Sequence, residues 1–139
     1  MLALNDSEQS LSEKDLSEIR ALFSSNIPEA FLEFYKKNNG GYPEENMIMS
    51  KENVYSLNGF HPIKYGELSI EMLFLDLTNE NLELKEYIPF AYDDGGNNYL
   101  LSLASETYGN IFLWIWEENN LALVSSSFRD FIGGLYTEI

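Results

Sequence analysis

The chain contains no cysteine and a single histidine, which excludes disulfides, thiolate zinc sites and thiol nucleophiles at once. Its longest unbroken apolar stretch runs from Ile111 to Trp116, six residues, against the roughly 20 that a helix needs to cross a bilayer. Proline is sparse, and no Ser-, Gly- or Pro-rich tract marks a linker between domains. Basic residues are scarce as well: 8 Lys or Arg stand against 23 Asp or Glu, a formal charge of −15. Such a surface repels nucleic acid and anionic lipid, and it favours cationic partners over a screening distance of about 8 Å at physiological salt. The partner expected on these grounds is a basic protein, with no nucleic acid and no membrane. The charge is uneven, since residues 41–94 hold eleven acids and three bases. Residues 1–11 lack both the basic start and the apolar run of a signal peptide, so the expected location is cytoplasmic.

What the chain has in quantity is core material. Hydrophobic residues make up 45% of it, with nine Phe, nine Tyr and two Trp, and each well-buried large side chain contributes roughly 1.5–3 kcal/mol. Residues 1–139 are expected to form one domain, with a core over about 12–136. Ser12 and Asp15 have capping-box spacing, and Leu16, Ile19, Leu22 and Phe23 follow at helical intervals, predicting a helix over 13–24. Pro28 suits a first helical position, Phe31, Phe34 and Tyr35 form a stripe, and Gly40 can end it, predicting a second helix over 28–38. A strand is expected around Val54 to Leu57, broken at Asn58-Gly59 and at His61-Pro62. Ile70, Leu73, Phe74 and Leu77 then predict an amphipathic helix over 68–79, with Glu71, Asp76 and Glu80 outward.

Beyond residue 86 the period shortens. Tyr87 to Tyr92 and Asn98 to Leu103 flank the turn residues Asp93-Asp94-Gly95-Gly96-Asn97, a hairpin signal. Ile111 to Trp116 has no polar face and reads as a central strand buried on both sides, turning through Glu117 to Asn120 into Leu121 to Val124. Ser127 and Asp130 cap a last helix bearing Phe128, Phe131, Ile132 and Leu135, which Gly133 and Gly134 weaken. This order predicts an α+β domain, an antiparallel-rich sheet of about five or six strands with helices on one face.

Catalytic signatures are absent. His61, beside Pro62, reads as a surface or packing residue, and no Gly-x-Ser-x-Gly elbow or phosphate-cradling glycine motif occurs. The Asp93 to Asn98 run is not a calcium loop, because the acids are misordered and the twelfth position from Asp93 is Ala104. No metal and no cofactor is expected. With 23 carboxylates some pair will stand at glycosidase-like spacing by accident, so a carboxylate-dependent hydrolase is only a second alternative.

Six features in order carry a family resemblance: Ile27-Pro28 with Phe31 and Phe34; Asn39-Gly40-Gly41; Pro89-Phe90-Ala91; Asp94-Gly95-Gly96 with Tyr99; Gly109 to Trp114; and Ser127-Phe128 with Phe131. Together they resemble the SUKH superfamily of bacterial immunity proteins. Ser24-Ser25-Asn26 departs from it, standing where the family usually carries a Leu-Gly-type helix exit. The resemblance implies the same α+β fold; most of the matched residues are themselves structural, Gly40, Gly95, Gly96 and Gly109 being explained by turn geometry and Phe31, Phe90, Trp114 and Trp116 by core packing. It also implies a binding function: a non-catalytic immunity protein that occludes a cognate toxin, often a nuclease, or alternatively an acidic regulator or scaffold like the related fungal cell-wall regulator. The expected partner contacts are the acidic loop residues Glu44, Glu45, Asp93, Asp94, Glu117 and Glu118, with Tyr42, Tyr92 and Tyr108 as aromatic anchors.

Overall fold

The computed structural model describes residues 2–23 and 26–137. Helix α1 (Glu13–Leu22) begins where its cap predicts: Ser12 Oγ accepts from the Asp15 amide at 3.1 Å, and the Asp15 carboxylate accepts from the Ser12 amide at 2.9 Å. Two otherwise orphaned donors are thereby satisfied. The expected last residue, Ser24, lies with Ser25 outside the described residues. Helix α2 (Glu29–Lys37) follows Pro28, which occupies the N-cap and not the first turn, and it buries Phe31, Leu32 and Tyr35.

Next come a two-stranded ribbon, β1 (Met47–Ser50) and β2 (Asn53–Ser56), the short strand β3 (Gly59–Phe60) and helix α3 (Ile70–Glu80). Strands β4 (Tyr87–Tyr92), β5 (Asn98–Ser102), β6 (Ile111–Ile115) and β7 (Asn120–Ser125) then lead into helix α4 (Phe128–Gly133). The main sheet runs β3-β4-β5-β6-β7, every pair antiparallel. The domain is α+β, as its sequence predicts. Strand β6 is interior, paired with β5 and β7, but the middle strand is β5, and Phe112 and Ile115 of β6 are half-buried because β7 beside it is an edge. Pro89, in β4, lacks an amide to donate, and the register shifts between Pro89 and Ala91 as a bulge.

Alternation along the strands divides the interior. On one face α1, α2 and α4 cover Ile88, Phe90, Tyr99, Leu101, Ile111 and Leu113. Aromatic rings set this core: Phe31 meets Phe128 at 5.2 Å and Phe90 meets Phe131 at 5.4 Å, both edge to face. On the other face Leu84, Leu100 and Trp114 form a small second cluster with Leu77 and Leu121. Helix α3 serves both, sending Ile70 and Phe74 into the first and Leu77 into the second.

Two features depart from the sequence pattern. Strand β1 carries no local signal, because its stability comes from pairing with β2 and from a bridge between Met47 and Tyr136 near the far end of the chain. Trp116 is not in the core. Strand β6 stops at Ile115, so Trp116 falls in the following turn, beyond the cover of the second cluster, and is 59% exposed.

Candidate functional site

Strand β3 is the edge of the sheet, and a bare edge would offer unpaired amides to other chains. Here two short segments close it. Gly41 donates to the Phe60 carbonyl at 3.0 Å and accepts from the Phe60 amide at 2.8 Å; beyond it, Asn5 and Tyr42 exchange bonds of 2.8 and 2.9 Å. Asn39, buried at the exit of α2, holds the segments together. Its amide nitrogen donates to the carbonyls of Gln9 (2.8 Å) and Lys64 (3.0 Å), and its oxygen accepts from the Ile63 amide (2.9 Å). Gly40 is left-handed at φ +78°, and a Cβ there would come within 2.6 Å of the Pro62 nitrogen. Only glycine allows α2 to exit so close to the 61–62 segment.

Between this closed edge, the 66–68 loop and the start of α3 lies a cavity of about 630 Å³, within the roughly 300–1,000 Å³ range of ligand sites. Phe60, Leu68 and Leu73 supply apolar wall. His61 and Tyr92 stack with ring centres 4.8 Å apart and planes tilted by 30°. Tyr42 and Tyr92 both close over Gly59, where a Cβ would meet Tyr92 Oη at 2.8 Å and Tyr42 Cδ1 at 3.0 Å. Burial, and then the neighbouring Tyr42 hydroxyl, push the Tyr92 hydroxyl up to about 12, so it stays protonated throughout the physiological range.

Three carboxylates, Asp6, Glu8 and Glu67, face this cavity, and no Lys or Arg lines it. Among the described residues none of the three has an ion-pair partner. The nearby Lys64 is already engaged by Glu18 at 2.8 Å and Glu71 at 2.9 Å. The Glu8 carboxylate lies against Gly66, so close that a Cβ on Gly66 would stand 3.0 Å from it.

His61 is a packing residue, 7% exposed. Its Nε2 lies 2.9 Å from Asn98 Oδ1, which makes Nε2 the protonated nitrogen and Nδ1 the lone-pair nitrogen. Burial lowers its proton affinity, and the Asn98 bond only partly opposes this, so the ring is neutral at pH 7. Its hydrogen-bonded neighbour is an amide. Among the described residues no hydroxyl or carboxylate bonds to the His61 ring, so the pairing that would make it the base for a nucleophile is not formed. Also among them, no three or more His, Asp or Glu side chains gather as metal ligands would.

Of the residues singled out from sequence, Tyr42 and Tyr92 come together in the cavity wall. Tyr108 stands at the opposite end of the sheet, 47% exposed, its hydroxyl donating to the Asn26 carbonyl at 2.7 Å. Asp93 and Asp94 lie in the β4–β5 turn, and Glu117 and Glu118 in the β6–β7 turn. The two turns are neighbours, because Asn97 Oδ1 accepts from the Trp116 amide at 3.2 Å. Asp93 is occupied within its own turn, accepting from the amides of Gly95 and Asn97 and from the Asn97 side chain. Asp94, Glu117 and Glu118 are exposed. Glu44 is exposed and Glu45 half-buried, and neither reaches the cavity. Sequence reasoning missed Asp6, Glu8 and Glu67 as a group, and it took Asn39 only as part of a helix exit. Nothing in local spacing signals that residues 6, 8 and 67 line one cavity.

Among the described residues no helix is long and apolar enough to cross a membrane. Residues 10–134 match the model of the SMI1 / KNR4 family (SUKH-1). No curated protein matches the chain.

Proposed function

Because the chain belongs to the SMI1 / KNR4 family (SUKH-1), we propose that it is an immunity protein: it binds a cognate bacterial toxin and neutralises it stoichiometrically, transforming nothing itself. The observation that carries this reading is the family match across 125 of the 139 residues, residues 10–134. The charge of −15 supports a basic partner, such as a nuclease whose active site already accommodates phosphates. The exposed Asp94, Glu117 and Glu118 belong to that surface, at the end of the sheet where two turns adjoin. Complementary charge of this kind chiefly accelerates encounter and selects the partner. The protein acts in the cytoplasm, where the toxin would arrive.

Co-expression with the toxin encoded beside this gene tests the reading: cells making both should grow, and cells making the toxin alone should not. Continued killing in the presence of well-folded protein would sink it. Reversing Glu117 and Glu118 to Lys should slow association about tenfold at low salt and much less at high salt.

A further inference from the structure

The cavity at the closed sheet edge is lined as a receptor for a cation. Its three carboxylates, Asp6, Glu8 and Glu67, have no ion-pair partner among the described residues, and no base lines the wall. Two aromatic side chains, Tyr42 and Tyr92, stand in the same wall, and aromatic rings attract a guanidinium. Independently, His61 is 7% exposed and sits in the wall with Nε2 committed to Asn98. Its Nδ1 has no hydrogen-bond partner among the described residues, and it is not a sealed, unsatisfied atom. A neutral imidazole presenting a free lone pair accepts from a donor. Carboxylates, an imidazole acceptor and aromatic faces share one complement, a planar group with several N–H donors and a positive charge.

We infer that this cavity receives an arginine side chain of the protein partner. The inference rests on the proposed function for the source of that arginine. A planar fork of five donors fits acceptors on several walls better than a point-like ammonium does. The volume of about 630 Å³ also leaves room for the residues on either side of the arginine. A metabolite with its own carboxylate fits less well, because that group would have to enter between Asp6, Glu8 and Glu67.

The test uses the intact chain labelled with ¹⁵N and titrated with Nα-acetyl-arginine amide, followed by NMR. Saturable shifts confined to Gly41, Tyr42, His61, Gly66, Tyr92 and Asn98 are expected, with a dissociation constant on the order of a millimolar. Nα-acetyl-citrulline amide, the neutral near-isostere, should not bind. Glu8→Gln and Glu67→Gln should each weaken binding about fivefold, and Tyr42→Ala should also weaken it. The paired change Glu86→Gln with Glu106→Gln, away from the cavity, should leave binding unchanged. All these positions are exposed, so the variants should fold. Shifts spread over the whole acidic surface, equal binding of the citrulline probe, or equal weakening by the Glu86/Glu106 control would overturn the inference. Tighter binding of free L-arginine than of the amide would assign the cavity to a metabolite and overturn it too. Its failure and that of the immunity reading are separable, because toxin rescue without probe binding removes only the cavity inference, and probe binding without rescue removes the toxin as the source.

Discussion

The Tyr35 hydroxyl, with no solvent exposure, lies 2.8 Å from the main-chain carbonyl of His61. A second carbonyl, that of Phe90, stands 3.1 Å from the same oxygen, so one proton serves both. Helix α2 is thereby fastened to the sheet edge at the residue that walls the cavity. Tyr35→Phe should leave a buried carbonyl short of a donor and cost about 1–2 kcal/mol, measured as a lower urea midpoint with an unchanged slope.

Two glycines with similar backbone angles should respond differently to alanine. Gly40 (φ +78°) has Pro62 nitrogen 2.6 Å from where a Cβ would stand, and Gly96 (φ +86°) has nothing within 4 Å. Gly96→Ala should cost about 1 kcal/mol, the penalty of a left-handed alanine alone. Gly40→Ala adds a backbone clash and should cost at least about 3 kcal/mol. Thermal melting of the pair checks the order, and equal costs would show that the Pro62 contact is easily relieved.

Asp93 and Asp94 adjoin in sequence and should separate in experiment. Asp93→Ala removes the acceptor for two amides and a side chain of its own turn, and should destabilise the protein by about 1–2 kcal/mol. Asp94, exposed and bonded only to the Asn58 side chain and, through its amide, to Ser56, should tolerate alanine within about 0.5 kcal/mol. Denaturant titration of both variants decides this.

His61 should titrate below the ordinary imidazole value of about 6.5, because burial disfavours its cation. The unfolded chain then takes up the proton first. Stability contributed at pH 7 by the neutral ring is lost as the pH falls below about 6.5, and the loss levels off once the folded ring also protonates. The advantage of the native protein over His61→Gln should therefore shrink between pH 7 and pH 5. Two-dimensional NMR of the imidazole gives the folded value directly, and a midpoint above 6.5 would refute the assignment.

Elements whose cause is local were legible in the sequence. The Ser12–Asp15 box, the Ser127 cap, the stripe from Ile70 to Leu77 and the Asp93–Asn97 turn each need only a few consecutive residues, and each forms close to where its pattern stands. The closed edge was not legible. It depends on Asn5 meeting Tyr42, on Ser7 reaching the Gly40 carbonyl, and on Asn39 bonding to both Gln9 and Lys64. Those partners are separated by 25 to 37 residues, far beyond helical or strand periodicity. The cavity is a product of these long-range closures, so Tyr42 and Tyr92 could be chosen as aromatic anchors without any sign that they share a wall. The outward turn of Trp116 escaped for a related reason, since a continuous apolar string does not reveal where its strand ends.

One amide side chain, Asn39, fastens the amino-terminal segment, the departure from α2 and the 63–64 stretch to one another. The mouth they border is therefore shaped during folding, before any visitor arrives. A guest entering it would surrender its own freedom without also having to organise its host, which concentrates selectivity in the fit and the charge of the guest.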